Sequence, residues 1–279
     1  MDAEKAFVSI QTDIRNNEYE NAMLKVKGIA DACDDVNSLL KCASLLKVVE
    51  DEEGCQNILN RIAGMSPFRK EERLNVALSL RNLGRPDDAY GIIRDEEETD
   101  NMLREKAKTL LLMGEGGEAL SKIGKLSSHT AEDRILLSEI LCSTGDFKKA
   151  YEVSSKLAKD DRSYDSMANL CTTLVLMGKS KEAIKTAKQN LKGEKDADSL
   201  ALAAYVMRID GRTTPAAAYA YRALNADHVH KGALETMALC LIEKSRFFEA
   251  KMLAGGINER YPGDPAAIRI LDACREASR

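Results

Sequence analysis

The sequence predicts an all-helical chain built from repeated helix pairs. Three observations carry this: a helix-favouring composition, a turn that recurs about every 33 residues, and two ladders of small residues in step with that turn. Hydrophobic residues make up 44% of the 279 and charged residues 31%, with 5 Pro and no Trp. Ala, Leu, Glu and Lys recur while alternating Val/Ile/Thr runs are missing, which favours helix over strand. The apolar content is ample for a core, so disorder is not expected.

The turn consists of Gly, four mostly polar residues and Ala: Gly84 to Ala89, Gly114 to Ala119, Gly145 to Ala150, Gly178 to Ala183 and Gly211 to Ala216. Ser245 to Ala250 has Ser in place of Gly, and Asn17 to Ala22 and Glu50 to Cys55 are degenerate copies. The closing residues Ala22, Cys55, Ala89, Ala119, Ala150, Ala183, Ala216 and Ala250 are spaced by 33, 34, 30, 31, 33, 33 and 34. The Gly supplies a positive φ that ends one helix before the next begins. The spacings of 30 and 31 mark short units between 84 and 145.

The first helix of each unit carries its own ladder: Ala43, Ala77, Ala107, Ser138, Cys171, Ala204 and Ala238, each seven residues before the Gly-type position. Three residues on come Leu46, Leu80, Leu110, Leu141, Leu174, Met207 and Leu241. Four residues before the small one come Leu39, Leu103, Met167, Leu200 and Leu234, with Arg73 and Arg134 in two copies. These offsets form one helical stripe, and its small member lets a neighbouring helix approach closely. The second helices repeat the pattern, as in Ala119, Ile123 and Leu126, or Ala216, Ala220 and Ala223. Thr130 to Asp133 reads as a capping box, and Pro67 and Pro262 fall between units.

One such pair cannot bury its apolar face alone, whereas stacked pairs share a continuous core. A single domain is therefore expected over 1–279, with units near 3–35, 36–68, 70–98, 100–129, 131–162, 164–195, 197–229 and 231–262 and a closing helix at 264–279.

The period, the turn (fullest in Gly145, Asp146, Phe147 and Ala150) and the Ala/Leu ladder resemble the tetratricopeptide-repeat (TPR) family over roughly residues 3 to 262. The resemblance implies an all-α, right-handed superhelical solenoid of about eight helix-turn-helix repeats with a C-terminal capping helix. First helices would line a concave groove that binds a peptide or helix of a partner protein. Departures are the absent Trp, Arg73 and Arg134 in the large-residue slot, where their stems should cover apolar surface, and Lys106 at a usually apolar place.

The groove stripe is offset from the packing stripe. It comprises Asn37, Leu40, Ser44 and Lys47 in the second unit, Glu71, Leu74, Leu78 and Arg81 in the third, and Asn101, Arg104, Lys108 and Leu111 in the fourth. Later units give Ile135 and Glu139, then Ala168, Thr172 and Val175, then Ala201, Tyr205 and Arg208. Lys47, Leu74, Leu78, Arg81, Arg104, Lys108 and Leu111 form the candidate partner-binding surface, basic and partly apolar. An acidic or carboxylate-bearing protein segment is its expected ligand.

The expected function is a non-enzymatic interaction scaffold or adaptor. A chaperone-like holder of unfolded clients is the alternative, and an RNA-binding helical repeat is disfavoured. Net charge −4 and pI ≈ 5.6 argue against nucleic acid. Seven widely spaced cysteines without a Cys-x-x-Cys pair read as reduced core residues, which points to the cytoplasm. The first residues lack a signal-peptide pattern, and no apolar run approaches the ~20 residues of a membrane span. Gly114 to Gly116 lies between helices and is a turn, not a nucleotide loop. Asp227, His228 and His230 read as an exposed turn, and the acidic run Asp95 to Asp100 as a solvated one. Catalytic residues, metals and cofactors are not expected.

Overall fold

The structure, a computed structural model, describes residues 3–16, 18–49, 51–65, 68–191, 196–260 and 264–277. Among the described residues there are seventeen α-helices and no strand. The first eight are α1 (Ala3–Arg15), α2 (Tyr19–Ala32), α3 (Val36–Val48), α4 (Glu52–Gly64), α5 (Lys70–Asn82), α6 (Pro86–Ile93), α7 (Asp100–Leu112) and α8 (Gly116–Ile123). There follow α9 (Ala131–Ser143), α10 (Phe147–Asp160), α11 (Tyr164–Leu176), α12 (Ser180–Asn190), α13 (Ala197–Ile209) and α14 (Thr213–Ala226). The last are α15 (Lys231–Glu243), α16 (Phe247–Arg260) and α17 (Pro265–Ala277). Pro67 and Pro262 lie outside the described residues. The helices fall into two compact units: Met1–Asp95 with Phe247–Arg279, and Glu96–Arg246.

The recurring turn has one geometry. Gly84, Gly114, Gly145, Gly178 and Gly211 all have φ between 76° and 84°. At each, the next residue's N–H reaches back to the ladder residue of the preceding helix: Arg85 to Leu80 O at 2.9 Å, Glu115 to Leu110 O at 2.9 Å, Asp146 to Leu141 O at 2.9 Å, Lys179 to Leu174 O at 2.8 Å and Arg212 to Met207 O at 2.8 Å. The glycine N–H bonds one residue further on, as in Gly145 to Cys142 O at 3.1 Å. This paired closure satisfies carbonyls that a helix end would otherwise leave open. Ser245 keeps the same bonds at φ 57°, a conformation that disfavours any side chain.

Both small-residue ladders are completely buried. Ala43, Ala77, Ala107, Ser138, Cys171, Ala204 and Ala238 expose nothing, and neither do the eight closing residues from Ala22 to Ala250. Each first-helix rung precedes its closing residue by twelve positions, and the two meet where the sequence puts a polar atom on the rung. Ser138 Oγ donates to Ala150 O at 3.4 Å, and Cys171 Sγ lies 3.8 Å from Ala183 O. In both of these pairs a small side chain lies against the backbone of the facing helix, so a large one there would force the helices apart.

The departures have physical solutions. Arg73 is half-buried and its Nε donates to Phe68 O at 3.0 Å, while Arg134 reaches Asp160 at 3.5 Å. In both copies the charged head finds an oxygen. Lys106 is 1% exposed, and its Nζ donates to Glu96 O at 2.8 Å. The expected short units appear as α6 and α8, of 8 residues each.

Candidate interaction surface

In the first unit the offset stripe is clearest on α5. Leu78 is 39% exposed, and Leu74 and Arg81 are half-buried, while Ala77 and Leu80 between them expose nothing. Helical spacing therefore separates a buried face of α5 from a partly accessible one. On α3 the corresponding face is covered only in part, since Asn37 is exposed and Ser44 half-buried. Leu40 and Lys47 are each 5% exposed, because α17 packs against α3 as well as α16. Lys47 Nζ lies 3.0 Å from Asp272 and 3.4 Å from Glu52. Arg275 in turn sits 2.6 Å from Glu52 and 3.4 Å from Asp272. Two cations and two carboxylates alternate, so the Lys47 charge is compensated within the chain. Glu52 and Arg275 are 223 positions apart, a separation at which no periodic pattern signals contact.

In the second unit, Arg104, Lys108 and Leu111 lie half-buried along α7 beside the fully or nearly fully buried Ala107 and Leu110. Arg104 is held by the next first helix: its Nε and Nη2 donate to Asp133 at 2.8 and 3.1 Å. Asp133 also closes the predicted capping box, accepting from Thr130 N at 2.9 Å and from Thr130 Oγ1 at 3.0 Å. Burial alone would raise this carboxyl, but the Arg104 and Thr130 donors outweigh it and hold its pKa at about 2.

Further along, Ala168, Thr172 and Val175 on α11 and Tyr205 and Arg208 on α13 are half-buried. Thr172 Oγ1 and Tyr205 Oη share a 2.6 Å hydrogen bond, and Arg208 Nη1 lies 3.4 Å from Glu243 on α15. Neighbouring first helices are thus cross-linked along the stripe by polar side chains. Ala201, expected in that stripe, is instead fully buried with Leu200, Ala223 and Ala233, because α13 and α14 pack closely there.

The weaker sequence signals resolve into structural roles. His230 is the N-cap of α15: its Nδ1 accepts from Ala233 N at 3.2 Å and its Nε2 faces Asp198 at 2.9 Å. The acidic run is not simply solvated. Glu98 binds Lys122 and Lys125 at 2.6 and 2.7 Å, and Asp100 accepts from Ser127 Oγ at 2.5 Å. All seven cysteines are free thiols; five are buried in the core, where burial pushes Cys42, Cys55 and Cys171 up to about 12, whereas Cys33 and Cys142 are only half-buried. Tyr219 packs while Tyr221 stands 60% exposed. Among the described residues, no group of three or more His, Cys, Asp or Glu could hold a metal, and no helix is long and apolar enough to cross a membrane.

This arrangement defines a helical-repeat protein with interacting first helices. No family model and no curated protein matches the sequence. Among solved structures, a tetratricopeptide repeat protein from Parabacteroides merdae ATCC 43184 matches with a TM-score of 0.53 at 12% identity, covering 86% of this chain and 98% of that one. A thermophilic TPR protein of Thermus thermophilus matches at 0.47 and 19% identity, over 62% of this chain and 100% of its own. Yeast Tom70 matches at 0.44 and 12% identity, over 94% and 59%. The chain has the tetratricopeptide-repeat fold.

Proposed function

We propose that the chain is a non-enzymatic interaction scaffold that holds a segment of a partner protein along the offset stripe of its first helices. The observation that carries this reading is the stripe itself. In the first unit Leu74, Leu78 and Arg81 on α5, and in the second unit Lys108 and Leu111 on α7, stay partly accessible beside rungs that are buried. Each of these two faces mixes aliphatic and cationic side chains, which suits a segment bearing hydrophobic anchors and carboxylates. Lys47 and Arg104, held in ion pairs within the chain, shape the local field, while Lys108 is the cation that the partner meets. The free thiols and the mildly acidic surface fit the cytoplasm.

The test begins with affinity purification from the native source, with the partner then produced separately. Leu74→Lys with Leu78→Lys, and Lys108→Glu, are each expected to weaken binary binding about tenfold or more while helicity is retained. Full affinity in both folded variants would remove the stripe from the account.

A further inference from the structure

The first unit is built from the two ends of the chain, and the seam between them is loosely packed. Helices α1, α2 and α3 lie on one side and α16 and α17 on the other, with a hollow of about 530 Å³ between them. Protein interiors hold few voids larger than a water molecule, so this seam forgoes much of the dispersion contact that packing supplies elsewhere. Phe248 and Met252 border the hollow from α16 yet stand 66% and 44% exposed, so they seal it poorly.

Across the seam, α17 is tied to α3 and α4 by the alternating charges of Lys47, Asp272, Glu52 and Arg275. Glu52, Asp272 and Arg275 remain partly open to water, where ion pairs contribute little. Arg275 Nη2 is buried and finds no acceptor among the described residues, which opposes closure. The chief support of α17 is α16, where Cys274 Sγ lies 3.9 Å from Phe247 O. Release from α3 therefore leaves α17 seated on its neighbour.

Lys47 belongs to the offset stripe, and α3 adjoins α5, where Asn75 Nδ2 donates to Asn37 Oδ1 at 3.0 Å. The carboxylate of Asp272 thus sits where an acidic partner segment would meet the α3 end of that surface.

We propose that α17 is a reversible clasp on α3. Closed, it holds Lys47 with Asp272; released, it yields that cation to a carboxylate of the partner segment, so clasp and partner compete. This rests on the reading of the stripe as the partner surface.

Asp272→Arg with Arg275→Asp, made in the full-length chain, keeps the net charge and the pair within α17 but sets like charges against Lys47 and Glu52. Acetylation of Lys47 by acetic anhydride, read by mass spectrometry, should be about fivefold faster in this variant, with exposed Lys148 unchanged. The partner isolated as above should bind it about fivefold more tightly, because a closed state no longer competes. Gly255→Leu acts in the opposite sense: Gly255 lines the hollow, and a Cβ there meets nothing within 4 Å, so the new side chain fills space and tightens the seam. It should slow Lys47 acetylation and weaken the partner, each about threefold. Should the charge-swapped variant not fold, Gly255→Leu carries the test. Unchanged Lys47 acetylation in a folded variant overturns the clasp, and altered acetylation with unaltered partner affinity overturns the competition. Full affinity in Leu74→Lys with Leu78→Lys is a different failure: it removes the stripe, and the clasp as its regulator falls with it.

Discussion

Ala150→Leu is expected to destabilise the protein by about 3 kcal/mol, the upper end for overpacking a core. Ala150 exposes no surface, and its carbonyl lies 3.4 Å from Ser138 Oγ on the facing helix. Three extra carbons have no open space to enter, because Ala150 is fully enclosed on a helix whose backbone lies against the buried Ser138. The two helices must separate, and the stacking of neighbouring pairs is disturbed with them. Thermal melting followed by circular dichroism reads the effect, at roughly 2–4 °C per kcal/mol for a chain of this size class. Lys148→Leu, two positions earlier on the exposed face, is the control and should shift the midpoint little. A midpoint for Ala150→Leu equal to that of the control would show that the rungs do not set the helix spacing.

Asp133→Asn is expected to cost about 2–3 kcal/mol at neutral pH. The carboxylate is 2% exposed and serves two Arg104 donors together with the N–H and hydroxyl of Thr130. An amide keeps one acceptor oxygen and turns a donor toward the guanidinium, so the bidentate pair is lost and Arg104 is left without its counter-charge. The pH dependence has a definite sign. The folded-state pKa, about 2, lies below the ordinary carboxylate value of 3.8. The contribution, of order 2 kcal/mol, is therefore fully present above about pH 4 and is lost as pH falls toward 2. Urea unfolding of both proteins between pH 2 and pH 6 should show the stability gap closing at the acid end. A gap that is constant across this range would mean that Asp133 is not held ionised by Arg104.

Much of the fold was legible because its determinants are periodic. A glycine at φ near 80° and two small rungs twelve residues apart recur at a spacing that survives changes in almost every other residue. The capping box of Thr130 and Asp133 was equally visible, since its two residues are neighbours in sequence. What was not legible depends on contacts that no period encodes. The stripe predicted on α5 and α7 is partly accessible, but Lys47 is covered by α17, whose Asp272 comes from the far end of the chain. Arg104 reads as a free groove cation until Asp133 is placed 29 residues on, beside it, where it serves the cap and the ion pair at once. Spacing alone places Ala201 in the stripe, yet close packing of α13 on α14 buries it. Lys106 stood out as a misfit in an apolar position, and its partner is a backbone carbonyl that side-chain patterns do not reveal.

Hydroxyl-radical footprinting of the chain, free and bound to its purified partner, tests the central claim most directly because it reports on side chains. Leu74, Leu78 and Leu111 should lose reactivity in the complex, while exposed Tyr221 on a second helix keeps its own. Protection at Tyr221 and its neighbours, with Leu78 as reactive as before, would contradict a first-helix binding surface.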